Sequence, residues 1–225
     1  DPQTPAARGP LEPPMKGILG LLRMSSRNNK PQQDHSDSVF FSTAFANQGV
    51  DPAMLVPWEA RAVEVGAKRL PASKGGKLLQ ALWSKDKYMA HLDQDAVRRM
   101  ENFFEFAQVP PNRDLIRQDE YGNFMIVLLS GTIAVDRLQP WGEQLRLAET
   151  RPGDILGEMS LLDSGIRFSA CTTLTDCEVA VLSAEGMDDM MVKDPQLAAS
   201  LVALLARKLS LRLRAVSARL SENQK

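Results

Sequence analysis

Hydrophobic and polar positions along the 225-residue chain fall into four successive textures. From Asp1 to about Lys77 no apolar period is sustained. Prolines recur at Pro2, Pro5, Pro10, Pro13, Pro14, Pro31, Pro52, Pro57 and Pro71, and polar clusters such as SSRNNKPQQDHSDS intervene. Such composition buries too little apolar surface to offset the entropy of ordering, which predicts a largely flexible extension over residues 1–77. Two pieces of it read as short helices. One is MKGILGLLRM (Met15 to Met24), basic and amphipathic, and the other is PWEARAVEVGAKRL (Pro57 to Leu70), with Pro57 suited to a first helical turn. From residue 78 a compact domain is expected. Leu79, Leu82, Trp83, Met89, Leu92, Val97, Met100, Phe103 and Phe104 recur at helical spacing and predict one or two helices over residues 78–107.

Over residues 108–183 the period shortens. DLIRQDEYGNFMIVLLSGTIAVDR reads as strand, turn, strand with Ser130-Gly131 as a hairpin connection, and LRLAETRPGDILGEMS repeats the pattern about Pro152-Gly153. Several short strands separated by Gly and Pro turns indicate an antiparallel sandwich or roll. The helical period returns over 184–222. Ser183 is placed to cap a short helix through Met191, and Asp194-Pro195 is a strong start signal for a long one. Within that helix Val202, Ala206, Leu209, Leu213, Val216 and Leu220 alternate spacings of four and three, the seam of a two-stranded coiled coil. Leu197, Leu201, Leu204 and Leu211 form a second row that would face the domain itself. A long helix with two apolar faces predicts a homodimer, the alternative being one broad face packed within the domain.

Composition narrows the classes. With 44% hydrophobic and 24% charged residues and a net charge of -1, the chain reads as an ordinary globular protein without the basic excess of a bulk nucleic-acid binder. The longest apolar run, FMIVLLSGTIAV, is too short to span a membrane, so the expected location is the cytoplasm. Cys171 and Cys177, spaced C-x5-C, match neither a zinc nor a redox motif and read as small core hydrophobes. The histidines, His35 and His91, lie outside the strand region, so a metal-enzyme reading of a β-roll lacks its ligands. Ser130, Ser160 and Ser169 have no histidine in their segment to act as base. No enzyme activity and no cofactor are expected.

The chemistry concentrates in GEMSLLDSGIRFSACT, Gly157 to Thr172, where an acid, Glu158, and an arginine, Arg167, stand nine positions apart. A turn at Pro152-Gly153 followed by a helical turn over Glu158 to Leu162 would present free backbone N–H groups, which suit an anion. Arg167 adds a planar donor fork that matches phosphate, and Glu158 can accept from sugar hydroxyls or hold Arg167 in place. Phosphate with hydroxyls means a nucleotide or a sugar phosphate. Ile155, Leu156, Met159 and Leu161 would anchor the loop. The plainer alternative is a structural ion pair between Glu158 and Arg167.

At these residues the chain resembles the cyclic-nucleotide-binding domains of the catabolite activator protein, the regulatory subunits of cAMP-dependent protein kinase and nucleotide-gated channels. Their phosphate-binding cassette reads approximately F-G-E-x-x-L-(four residues)-P-R-(small)-A, and Gly157-Glu158, Leu161 and Arg167 fall at that spacing. Further likeness lies in the L-S-G of the expected hairpin, in RPGDILGEMSLL and in DCEVAVLS, with flanking helices over about Leu79 to Leu220. The resemblance implies an α+β fold, an antiparallel β-roll (double-stranded β-helix, jelly-roll-like) between N-terminal helices and a long C-terminal helix. It also implies that Gly157 permits close backbone approach, Glu158 bonds the ribose 2'-hydroxyl, Arg167 pairs with the cyclic phosphate, and the N–H groups of Ser160 and Phe168 complete the cradle. Met159 and Ser169 complete the candidate ligand-binding set.

The chain departs from the family pattern at three places. Ile166 replaces the proline before the arginine, Phe168 replaces the small residue after it, and Asp119-Glu120 stand where a glycine turn is usual, with Gly122 expected to take over that turn. In that family a hydroxyl at the position of Phe168 favours cGMP, so the resemblance implies cAMP, or a different ligand altogether. The expected role is a regulatory domain that signals through its C-terminal helix to an unidentified protein, with no helix-turn-helix and no direct nucleic-acid contact. The alternative is a ligand-free interaction module dimerising through Leu209, Leu213 and Val216.

Overall fold

The computed structural model describes residues 39–86 and 94–222. Among these residues nine strands form two antiparallel sheets. They are β1 (Lys68–Arg69), β2 (Glu105–Val109), β3 (Asp114–Ile116), β4 (Phe124–Ser130), β5 (Ile133–Leu138), β6 (Gln144–Glu149), β7 (Ile155–Leu156), β8 (Ala170–Thr173) and β9 (Cys177–Ser183). One sheet has the order β1-β2-β9-β4-β7 and the other β3-β8-β5-β6. Phe124, Ile126 and Leu128 of β4 face the apolar interior between the sheets, whereas Met125, Val127 and Leu129 face the helices. Burial on both faces explains why β4 reads as an unbroken apolar run instead of an alternation.

The topology corrects two expected hairpins. β4 pairs with β7 and β9, and β5 pairs with β6 and β8, so Ser130-Gly131 carries the chain from one sheet to the other. The turn at Pro152-Gly153 does the same between β6 and β7. A sheet-to-sheet corner uses the same turn residues as a hairpin, and the sequence pattern does not separate them. The ladder hairpin is β5–β6, closed by Gln139 N–H donating to Glu143 O at 2.8 Å.

Among the described residues seven α-helices flank the roll. α3 (Ala72–Trp83), α4 (Gln94–Met100), α6 (Ala184–Lys193) and the first half of α7 (Pro195–Glu222) bury Leu79, Trp83, Met100, Met187, Met190, Leu197, Leu201 and Leu204 against the five-stranded sheet. Two caps fall where the sequence places them: Ser183 Oγ accepts from Gly186 N at 3.0 Å, and Asp194 Oδ1 accepts from Leu197 N at 3.2 Å. The second apolar row of α7 stops short of its expected length. Leu211 is 45% exposed, and from Ser210 to Ser221 every residue is exposed, the seam residues Leu213, Val216 and Leu220 included. Among the described residues no helix is long and apolar enough to cross a membrane.

The flexible extension expected over residues 1–77 does not hold for residues 39–77. α1 (Phe40–Asn47), α2 (Trp58–Val65), β1 and the start of α3 occupy that span, and Phe41, Phe45, Trp58, Val65 and Leu70 are buried. Its prolines sit between elements. Pro52 opens a single 3-10 turn whose cap, Asp51, accepts from Ala53 N, while Pro57 and Pro71 precede α2 and α3. Apolar anchors this widely spaced leave no periodic signal. α2 realises the helix expected from Pro57 but ends at Gly66, whose φ of 67° is left-handed. The helix expected over Met15 to Met24, and both histidines, lie outside the described residues.

Candidate functional site

The candidate site is built where β7 turns into α5 (Glu158–Asp163). β7 pairs with β4, Gly157 takes φ 75°, and the six-residue helix starts at once, close to the expected Glu158 to Leu162. Buried Ile155, Leu156 and Leu161 anchor the segment as expected. Met159 does not: at 44% exposed it occupies the outward face that any short surface helix must have. Ser160 is buried on the inward face, and Ser169 is half-buried.

Arg167 is fixed in backbone and side chain alike. Its N–H donates to Glu120 O at 2.7 Å, and its own carbonyl accepts from Asp119 N at 2.9 Å, which ties the cassette to the β3–β4 connection. Its side chain is almost fully buried. Nη1 donates to Gly157 O at 2.8 Å, Nη2 donates to Phe124 O at 2.7 Å, and the guanidinium lies 4.7 Å from the centroid of the Phe124 ring. Two glycines make room for it. A Cβ at Gly157 would stand 2.6 Å from Nη1, and one at Gly122 would stand 2.7 Å from Nη2. Gly122 therefore serves close approach and not the turn, which corrects the expectation; the left-handed residue of that connection is Asp119, with φ 66°. Burial pushes the pKa of Arg167 down to about 10, so the side chain stays cationic at neutral pH.

Glu158, 4% exposed, does not pair with Arg167. Its carboxylate takes an ion pair from Arg212 of α7, whose Nη2 also donates to Ile155 O at 3.2 Å. The first and last elements of the site are thus joined by one arginine that no local pattern distinguishes from its basic neighbours on α7. Phe168 points outward, 52% exposed, with the guanidinium of Arg137 stacked 4.0 Å from its ring centroid. Arg137 Nη1 also bonds Phe168 O. The ring thus lies beside the cassette instead of filling it. Cys171 and Cys177 are free and buried, as small core residues; burial pushes the Cys171 thiol up to about 12 and the Cys177 thiol upward as well, leaving both neutral. No group of three or more His, Cys, Asp or Glu among the described residues is placed to hold a metal ion.

The family defined as cyclic nucleotide-binding domain matches residues 106–194, which span β2 through α6 and contain the whole cassette. Residues 106–194 belong to the cyclic nucleotide-binding domain family. The cyclic AMP receptor protein of Thermus thermophilus is 32% identical over 108 residues, 48% of this chain and 50% of that protein. An Escherichia coli cAMP-activated global transcriptional regulator is 30% identical over 101 residues, 44% of this chain and 48% of that protein. This chain thus spans about half the length of the curated relatives it matches. Among solved structures, a cyclic nucleotide-binding domain from Methylobacillus flagellatus shares the fold with TM-score 0.63 at 23% identity, over 68% of this chain and 86% of that one. The Thermus thermophilus catabolite activator protein aligns with TM-score 0.51 at 29% identity, over 58% and 62% of the two chains. The β-roll with flanking helices that the motifs implied is therefore the fold of this cyclic nucleotide-binding domain. α2 and Arg212 lie outside the matched span; Arg212 reaches Glu158 directly, and α2 contacts Phe124 and Glu120, both of which are bonded to Arg167.

Proposed function

We propose that this domain is a non-enzymatic cytoplasmic regulator that binds a cyclic nucleotide, cAMP in preference to cGMP, and reports occupancy through α7. The supporting observation is the setting of Arg167. A buried guanidinium is costly unless compensated, and here two carbonyls, two glycines and an aromatic face hold one beside the first turn of α5. Each Nη carries a second hydrogen beyond the one given to a carbonyl, so a phosphate would complete a preset site. In this reading Ser160 and Phe168 supply backbone N–H groups, Gly157 allows close approach, and Met159 and Ser169 border the ligand. Glu158 bonds the ribose 2'-hydroxyl. To do so it must share or release Arg212, and that exchange would couple the pocket to α7 as a population shift.

The second reading, a ligand-free dimerising module, draws on the same contacts, because Arg167 and Glu158 already have internal partners. A thermal titration separates the two. Ligand at about a hundred times its Kd stabilises a protein by roughly 2.7 kcal/mol, so cAMP should raise Tm clearly, and a fluorophore on Ser217 should change emission in the same titration. A flat response to cAMP, cGMP and cyclic dinucleotides would favour the ligand-free module. In both readings the seam of half-buried Leu209 and exposed Leu213, Val216 and Leu220 forms the homodimer, and an unidentified protein, not nucleic acid, receives the output. Light scattering should give twice the chain mass, reduced to one by Leu213→Glu; a monomer at high concentration would remove the dimer.

A further inference from the structure

α2 lies outside the matched span yet reaches Arg167 from behind by two routes. The first is aromatic. Buried Trp58 meets the Phe124 ring edge-on, with centroids 5.6 Å apart, and the same ring carries the Arg167 guanidinium while the Phe124 carbonyl accepts from Nη2. The second is ionic. Arg61, 1% exposed, donates from Nη1 to Glu64 at 2.8 Å and from Nη2 to Glu120, and Glu120 is the residue whose carbonyl accepts the Arg167 N–H. Arg117 ties Glu64 and Glu120 together from the solvent side. Just before α2, Val56 N donates to Tyr121 O at 2.9 Å and Leu55 bridges Tyr121. The β3–β4 connection is therefore gripped by the α2 segment on one side and by Arg167 on the other.

An ion bridge from a buried arginine to two half-exposed carboxylates is a poor source of net stability, since desolvating the arginine offsets the attraction and solvent screens the carboxylates. Arg61 even leaves its Nε without a partner. What the bridge does supply is position: it fixes Glu120, and with it the backbone to which Arg167 is bonded. We infer that Arg61 is a positioning residue for the anion-binding arginine, so that α2 is a second control input on the pocket and anything that displaces α2 weakens the ligand. The inference rests on the cyclic-nucleotide reading for its affinity consequence, but not for its structural one.

The test compares Arg61→Met with Arg61→Lys in the full chain, by hydrogen exchange without ligand and by calorimetry with cAMP. In Arg61→Met the Asp119 and Arg167 amides should exchange at least about tenfold faster while β4 and β9 keep their protection, because local opening is separable from global unfolding. The Kd for cAMP should rise by about tenfold or more, and Arg61→Lys, which keeps the charge, should recover part of both. Glu120→Gln, a milder change at a more exposed position, should reproduce the pattern if Arg61→Met does not fold. Unchanged exchange at the two amides, or equal acceleration throughout the strands, would overturn the inference. If wild type gives no heat with cAMP, the ligand reading fails alone and the exchange data still decide the positioning role.

Discussion

Arg167→Ala is expected to weaken cAMP binding by at least about a hundredfold, because charge-assisted hydrogen bonds are worth roughly 1.5–3 kcal/mol each and the guanidinium offers the phosphate more than one. Burying that side chain has a cost: desolvation pushes its pKa down to about 10, below the ordinary arginine range, so the charged form is held against a net penalty. The sign follows from proton counting. From about pH 10 up to the ordinary arginine range the unfolded chain binds more protons than the folded one, so stability rises with pH there, and below about pH 10 the penalty is full and constant. A bound phosphate would offset it, which ligand-free protein lacks. Arg167→Lys should fall between wild type and alanine, because one ammonium cannot serve Gly157 O, Phe124 O and a phosphate together. Calorimetry decides the matter: equal cAMP affinity in wild type and Arg167→Ala would show that another group carries the anion.

Trp58→Ala should destabilise the ligand-free domain by about 3–5 kcal/mol, the usual range for truncating a buried aromatic. Trp58 is 2% exposed and packs in the cluster that holds Phe124, Ile126 and Leu156. For a chain of this size the change corresponds to a fall in Tm of roughly 6–20 °C. Trp141→Ala supplies the control, since that ring is 72% exposed at the β5–β6 turn and its loss should stay within about 0.5 kcal/mol. Chemical denaturation of the three proteins reads both numbers. A Trp58→Ala variant as stable as wild type would mean that α2 does not pack on the roll in solution.

The same tryptophan shows where sequence reasoning loses its grip. In a proline-punctuated segment Trp58, Ala62 and Val65 form one short helical stripe, but nothing local says what buries it, so composition argues for a flexible extension while long-range packing orders the chain. Local signals were read correctly wherever the interaction itself is local, as at the caps Ser183 and Asp194 and in the turn from Gly157 into α5. They failed where the partner is distant. Ser130-Gly131 reads as a hairpin because a corner between sheets uses the same residues, and Arg212 is one of five Lys or Arg residues on α7. Only the fold brings it to Glu158. The glycine roles were exchanged for a related reason: Asp119 tolerates the left-handed turn, which leaves Gly122 free for the contact that admits Arg167.

Beyond Arg212, Leu213 to Ser221 are all exposed while α7 runs on to Glu222, which makes this end a helical arm about 15 Å long at 1.5 Å per residue. In the proposed dimer, a pivot of about 10° at the Glu158 contact would carry its tip by roughly 2.5 Å, half a helical turn, which is enough to take a leucine knob out of its hole in the partner helix. Under the proposed signalling this arm would act as a mechanical amplifier, with its fulcrum at the carboxylate proposed to hold the sugar.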